Sequence, residues 1–286
     1  MQGKPAITIV GPGSLGIAMA RALHAARYRI EEIVHRGGQS ARRARLLARE
    51  VGASAVTVKE ARLAADVIWI CVGDSAIAGA AAELAKRAIW AGKTAFHSSG
   101  ALSSRELKAV RDRGAAGASV HPMMTFVRQA RPELAGVTFA VEGDARAVRL
   151  GRRIALDLGG RVVMIDPRRK PMYHAFGAFT SPLVIATLAV AERVAGKAGI
   201  APAAARAAIV PILLQTIRNY VAHGPAEAFS GPLVRGDVAT VRRHLEVLKS
   251  APEARSAYVA LARSALKTLP VKRKREMERI LKIEDY

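Results

Sequence analysis

Residues 6–20 read Ala-Ile-Thr-Ile-Val-Gly-Pro-Gly-Ser-Leu-Gly-Ile-Ala-Met-Ala, and their order decides the fold. The apolar run 6–10 predicts a strand. Gly11, Gly13 and Gly16 follow, after which Ile17, Ala18, Ala20, Leu23 and Ala26 recur at helical spacing. Strand, glycine turn and helix is the context in which such a triplet holds a dinucleotide. Gly11 makes the tight turn, Gly13 admits the pyrophosphate to the backbone, and Gly16 lets the helix lie close to the strand. Ser14 and Leu15 open the helix, where unpaired N–H groups and the positive dipole end face a phosphate. Lys4 before the stretch and Ala18-Met19-Ala20 at its end imitate a secretory signal, but the glycine spacing is better explained by the nucleotide turn.

Outward from this point, strands and helices alternate. Strands are predicted at 30–35, 55–58, 65–72, 94–97 and 118–121, with helices at 41–51, 76–88 and 103–113 between them. The run 65–72, Ala-Asp-Val-Ile-Trp-Ile-Cys-Val, has the continuous apolar character of a strand buried on both faces. A strand at 137–142, a helix at 145–158 and a strand at 161–165 complete a doubly wound, mainly parallel sheet. Asp166-Pro167-Arg168-Arg169-Lys170-Pro171 then breaks the pattern, dividing the chain into a Rossmann domain, 1–167, and a second, all-helical domain, 168–286. Helices are predicted there at 172–198, 202–223, 237–248 and 253–268, with a last charged helix from 272 towards 283. The uncharged run 175–191 is short for a bilayer span and carries Gly177, Thr180, Ser181, Pro182 and Thr187, so it is read as a buried helix.

The 286 residues are half apolar and a quarter charged, which excludes a disordered chain. The net charge is +22, which invites a nucleic-acid reading. The excess divides evenly, +11 on either side of Asp166, and aromatics are only 5%, with no helix-turn-helix, RNA-binding aromatic signature or zinc pattern to support that class. The single cysteine, Cys71, can build neither an intramolecular disulfide nor a metal or redox pair, and points to the cytosol.

One cluster of the cations has a specific use. Where dinucleotide sites that prefer NAD carry an acid, at the end of the second strand, this chain has His35-Arg36-Gly37-Gly38-Gln39-Ser40, then Arg42 and Arg43. A guanidinium binds phosphate in bidentate fashion and stacks on adenine, so Arg36, Ser40 and Arg43 predict a 2′-phosphate and hence NADP(H). Ligands of such sheets meet the carboxyl ends of the strands. That selects Val72, Gly73 and Asp74, then His97-Ser98-Ser99-Gly100, then His121-Pro122. Hydride transfer to a carbonyl or imine needs a proton donor and polarising groups, for which His97, Ser99 and His121 are candidates. In the helical domain, Tyr173 and His174 open the first helix. Arg235 either binds a substrate carboxylate or pairs with an acid such as Asp237, which is itself read as the N-cap of the next helix.

These residues carry a resemblance. Gly-Pro-Gly-Ser-Leu-Gly at 11–16, His-Ser-Ser-Gly-Ala-Leu at 97–102, His121-Pro122 with Thr125-Phe126, Tyr173-His174-Ala175, and Gly231-Pro232 with Arg235-Gly236-Asp237 are similar to a bacterial family of Rossmann-like proteins whose helical second domain is of unknown function. That family resembles the wider 6-phosphogluconate dehydrogenase-like group, with pyrroline-carboxylate, ketopantoate and deazaflavin-dependent NADP oxidoreductases as relatives. The resemblance implies an NADP(H)-dependent oxidoreductase acting on a small anionic oxo acid or imine, a homodimer formed through the helical domain, and His174 or His121 as proton donor, with Tyr173 and Arg235 on the substrate. Two departures favour the alternative of a non-catalytic NADPH sensor. His174 stands where relatives place a lysine, and Ser181-Pro182 stands where the nearer family has Ser-Asn.

Overall fold

The computed structural model describes residues 3–128 and 132–282. The chain falls into two compact units, Met1–Ala178 and Phe179–Tyr286. In the first, β1 (Ile7–Val10), α1 (Ser14–Ala25), β2 (Ile30–His35), α2 (Gln39–Val51), β3 (Ser54–Thr57), β4 (Val67–Ile70), α3 (Ile77–Ala85) and β5 (Thr94–His97) alternate as predicted. The helix expected at 103–113 is a 3-10 turn, Ser104–Leu107, running into a single α turn, α4 (Lys108–Arg111). There follow β6 (Ala116–Pro122), β7 (Thr138–Gly143), α5 (Ala145–Asp157) and β8 (Arg161–Met164).

The eight strands form one sheet in the order β3-β2-β1-β4-β5-β6-β7-β8. Only the β6–β7 pairing is antiparallel. Order reverses between β1 and β4, which puts the ends of those two strands at the switch point where ligands bind. Burial on both faces follows from the sequence. Ile7, Ile9, Val67 and Trp69 pack with Met19, Leu23 and Phe96 on one side, while Val10, Ile68 and Ile70 pack with Ile77, Leu84 and Trp90 on the other. Residue by residue, β1 and β4 feed alternate cores, the arrangement that a continuous apolar run allows.

The first unit ends later than the predicted 167/168 boundary. After a 3-10 turn at Pro167–Arg169, α6 (Lys170–Thr180) begins, and its first residue is fully buried at 0% exposure. Lys170 Nζ donates to the Ser99 carbonyl at 2.9 Å and to Ser119 Oγ at 2.8 Å, so the start of α6 is anchored in the sheet domain. The predicted helix 172–198 is two helices, because Ser181 leaves helical geometry (φ −133°, ψ −83°) and Pro182 sits at the first position of α7 (Pro182–Lys197). The remaining elements are α8 (Pro202–Ala228), α9 (Pro232–Arg235), α10 (Val238–Val247), α11 (Pro252–Thr268) and α12 (Lys274–Lys282). The predicted extension of the last helix to 283 lies outside the described residues.

In the second unit, Val241, Leu245, Ala262, Leu266, Met277, Ile280 and Leu281 make a small core among α10, α11 and α12. The expectation that 175–191 is buried is corrected: Phe176, Phe179, Leu183 and Ile185 are exposed. The segment Pro167–Lys197 has a window with mean hydropathy 1.5, none of it buried within the chain. Its helical course is interrupted at Ser181.

Candidate functional site

The glycine turn does what its spacing predicts. Gly11 sits at φ +98°, and a Cβ there would lie 2.8 Å from the Cys71 carbonyl oxygen. A Cβ on Gly16 would lie 2.1 Å from the Gly11 carbonyl, so only glycine lets α1 start against β1. Around Gly13 there is open space, with nothing within 4 Å of where a Cβ would stand, and no side chain caps the N-terminus of α1. The helix therefore presents bare N–H groups to a site with room for phosphate.

Beside this turn lies a cavity of about 340 Å³ lined by Gly11, Pro12 and Gly13 of the turn, His35, Arg36, Ser40 and Arg43 from the end of β2 and α2, and Val72 and Gly73 after β4. Val58, Ala80 and Leu84 give it an apolar wall. Seven of the residues predicted to hold the cofactor thus share one cavity. The other three do not line it: Ser14 lines a neighbouring cleft along α1, Leu15 packs on the core and Gly16 is buried. Ser40 is also not a free donor, since its hydroxyl donates to the Gly37 carbonyl at 2.6 Å and shapes the turn. Arg43 lines the cavity as a residue, while its Nε is fully buried and has no hydrogen-bond partner in the protein. These residues fit an adenosine phosphate: cations and helix N–H groups at one end, apolar contacts at the other.

A second cluster forms where β5, β6 and α6 meet. His97 is fully buried, its Nε2 donating to the Ser103 carbonyl at 3.0 Å and its Nδ1 accepting the Ser99 N–H at 3.1 Å. With both nitrogens occupied, and burial pushing it down to about 4, it holds the loop as a neutral ring. Ser99 Oγ donates to Asp74 Oδ2 at 2.8 Å and accepts the N–H groups of Ala101 and Leu102. The polar atoms of both residues have partners within the protein, and these hydrogen bonds shape the loop after β5.

His121 and Tyr173 are arranged differently. His121 Nδ1 lies 2.8 Å from Tyr173 Oη, with the rings at 90°. Burial, then the neighbouring Lys170 charge, pushes His121 down to about 3, and burial pushes the Tyr173 phenol up to about 12. Both are neutral near pH 7. His174 stands exposed beside them, its ring centroid 6.3 Å from that of His121. The two imidazoles converge on Gly100, where a Cβ would lie 2.6 Å from His174 Cδ2 and 2.9 Å from His121 Nε2. Gly100→Ala is therefore expected to displace both rings, shifting the side-chain NMR signals of His121 and His174 together and lowering stability by about 1–3 kcal/mol. Unchanged signals would mean that the rings do not crowd Gly100 in solution.

Sequence reading missed Lys170, the buried cation beneath this cluster, whereas Asp74, selected at the strand end, fixes Ser99. Burial pushes Lys170 down to about 8 against the pull of the Glu142 and Asp74 carboxylates. The helix does carry a lysine, four residues before His174. Arg235 belongs to the second unit, exposed at the end of α9. Asp237 caps α10, accepting from Thr240 N at 3.0 Å and Thr240 Oγ1 at 2.7 Å, as predicted. No hydrogen bond or ion pair joins it to Arg235 among the described residues. Nor, among the described residues, do three His, Cys, Asp or Glu side chains converge as metal ligands.

Comparison with known proteins agrees with this architecture. Residues 1–122 match the model of a Rossmann-like domain, and residues 137–265 match the domain of unknown function DUF2520. The chain thus pairs a Rossmann-like domain with a DUF2520 domain. Among solved structures it is similar to a candidate NADP oxidoreductase from Bacteroides fragilis, at 23% identity over 91% of this chain and 97% of that one, with a TM-score of 0.77. A protein from Thermotoga maritima matches at 22% identity over 98% and 100%, TM-score 0.72. A reductive aminase from Aspergillus terreus, solved with NADPH and ethyl-5-oxohexanoate, matches at 16% over 97% and 99%, TM-score 0.66. At these identities the likeness establishes the fold. No curated protein matches the chain.

Proposed function

We propose that the protein is an NADP(H)-dependent oxidoreductase that moves a hydride to or from a small anionic oxo acid or imine. The observation that carries this reading is the cavity joining the glycine turn to Arg36 and Arg43. Gly11, Gly13 and the start of α1 would hold the pyrophosphate, and Arg36 and Arg43 the 2′-phosphate. The bound nicotinamide supplies the hydride.

The chain's own part is the proton. His121, held neutral, is no imidazolium donor at pH 7. Tyr173 keeps its proton up to about 12, yet remains a far stronger acid than water or an alcohol at about 16. An oxyanion or amide developing on the substrate therefore draws the proton from the Tyr173–His121 pair, through Oη or, with His121 as relay, through Nε2. Lys170 sits below, its ammonium held by the Ser99 carbonyl and Ser119 Oγ, and biases the site towards anionic substrates. His174 remains on the substrate side of the proposal.

The exposed apolar residues of α6, α7 and α8, among them Phe176, Phe179, Ile185, Ile212 and Val221, support a homodimer that covers them. For the chemistry, the test is turnover of NADPH with a panel of 2-oxo acids and cyclic imines, beside calorimetric titration of NADPH. Tyr173→Phe is expected to lower kcat by about 10²-fold or more with NADPH affinity unchanged. Tight NADPH binding with no oxidation by any member of the panel would make the protein a sensor.

A further inference from the structure

His35 is the last residue of β2, at 8% exposure, and its ring lines the nucleotide cavity. A buried histidine at a strand end is ordinarily satisfied at both nitrogens by the protein. This one is satisfied at one. The Gly37 N–H donates to Nδ1 at 3.0 Å, which fixes the neutral tautomer with its proton on Nε2. No protein hydrogen bond to Nε2 is found among the described residues. Glu60, the nearby carboxylate, already accepts the Thr57 N–H and hydroxyl at Oε2.

The surroundings of the ring favour an anion. Gly37 and Gly38 both have positive φ, +99° and +56°, and turn the chain directly into α2. Gly38 caps α2 without a side-chain hydrogen bond, so the helix offers its first N–H groups and its positive dipole end. Arg36 and Arg43 line the same cavity. Glu83 of α3 also lines it, but among the described residues no ion pair joins that carboxylate to either guanidinium. A polar side chain more than nine-tenths buried, a helix N-terminus and two guanidinium groups thus share one cavity.

We propose that His35 Nε2–H is a specificity-determining donor for the 2′-phosphate of NADP(H), completing a cradle with Arg36, Arg43 and the start of α2. This rests on the reading of the cavity as an NADP(H) site. It explains why an imidazole takes the place where an NAD site carries an acid: the ring donates where a carboxylate accepts from ribose hydroxyls.

Two substitutions separate the ring's two nitrogens. His35→Asn keeps an acceptor for the Gly37 N–H and removes the Nε2 donor. His35→Gln keeps a donor close to the Nε2 position. Calorimetric titration with 2′,5′-ADP and with 5′-AMP reads the 2′-phosphate contact without turnover, the monophosphate doubling as a check that each variant is folded. The wild type is expected to prefer 2′,5′-ADP. His35→Asn should lose about tenfold of that preference with 5′-AMP affinity unchanged, and His35→Gln should retain most of it. A wild type that binds both ligands equally would overturn the NADP(H) reading and this inference with it. A wild type that discriminates while His35→Asn discriminates as well, or His35→Gln falling as far as His35→Asn, would overturn the role of His35 alone.

Discussion

Arg36→Glu combined with Arg43→Ala is expected to lower NADPH affinity by about 10²- to 10⁴-fold while NADH affinity stays within about threefold of wild type. On the proposed reading each guanidinium would make a charge-assisted bond to a dianionic phosphate, an interaction of about 1.5–3 kcal/mol, and the introduced carboxylate would add repulsion. The two arginines contribute unequally. Arg36 is exposed, so its pairing with the phosphate is screened by water and salt. Arg43 is half-buried, and its Nε lacks any partner in the protein, so removing it also removes the cost of an unsatisfied donor in the free protein. Arg43→Ala alone is accordingly expected to weaken NADPH by about tenfold and to leave the free protein no less stable. Titration of both nucleotides at two salt concentrations checks the pair. A ratio of affinities that does not move would remove the arginine argument and leave the cavity without a phosphate end.

How much of this is legible in the sequence depends on whether a feature is local. The glycine triplet is, because turn, approach and packing are all consequences of missing side chains within six residues, and the distances at Gly11 and Gly16 bear them out. The central strands are legible as well, since a doubly wound sheet buries them on both faces and leaves continuous apolar runs, whereas the edge strands β3 and β8 are partly exposed. Lys170 is not. In Arg168-Arg169-Lys170 three adjacent cations look alike, and only the third turns inwards onto Ser99 and Ser119, more than fifty residues away in sequence. Its neighbour Arg168 pairs locally with Asp166 at the surface. The histidines divide for the same reason. His97 and His121 both end strands, but the loop after β5 folds back to satisfy both nitrogens of one, and the other meets Tyr173 on a helix that follows two more strands. The apolar run 175–191 misleads because composition demands an apolar neighbour without saying which chain supplies it.

Those two histidines also set how the first unit responds to acid, and the expected effect is large. In the unfolded chain a histidine titrates near 6.5, whereas burial holds His97 at about 4 and His121 at about 3. Above pH 6.5 both rings are neutral in both states, and their stabilising contribution is fully present. As pH falls, the unfolded chain takes up protons that the folded one refuses, so stability declines through 6.5 and continues to decline until the folded values are reached. By pH 5 the two together cost about 4 kcal/mol, a sizeable part of the 5–15 kcal/mol that holds a typical domain. Carboxylates such as Asp144, held below their usual range, titrate lower and leave the interval between pH 7.5 and 5 to the histidines. Urea unfolding followed by tryptophan fluorescence isolates the right unit, since Trp69 and Trp90, both fully buried, lie in the first one and the chain has no other. His97→Gln with His121→Asn keeps one hydrogen bond at each position and removes both titrations. The double variant starts less stable at pH 7.5, yet should lose almost nothing on going to pH 5, where the wild type loses those few kcal/mol. Equal losses in the two proteins would mean that the rings take up protons in the folded state, and with that the neutral His121 on which the Tyr173 proton relay depends would be lost.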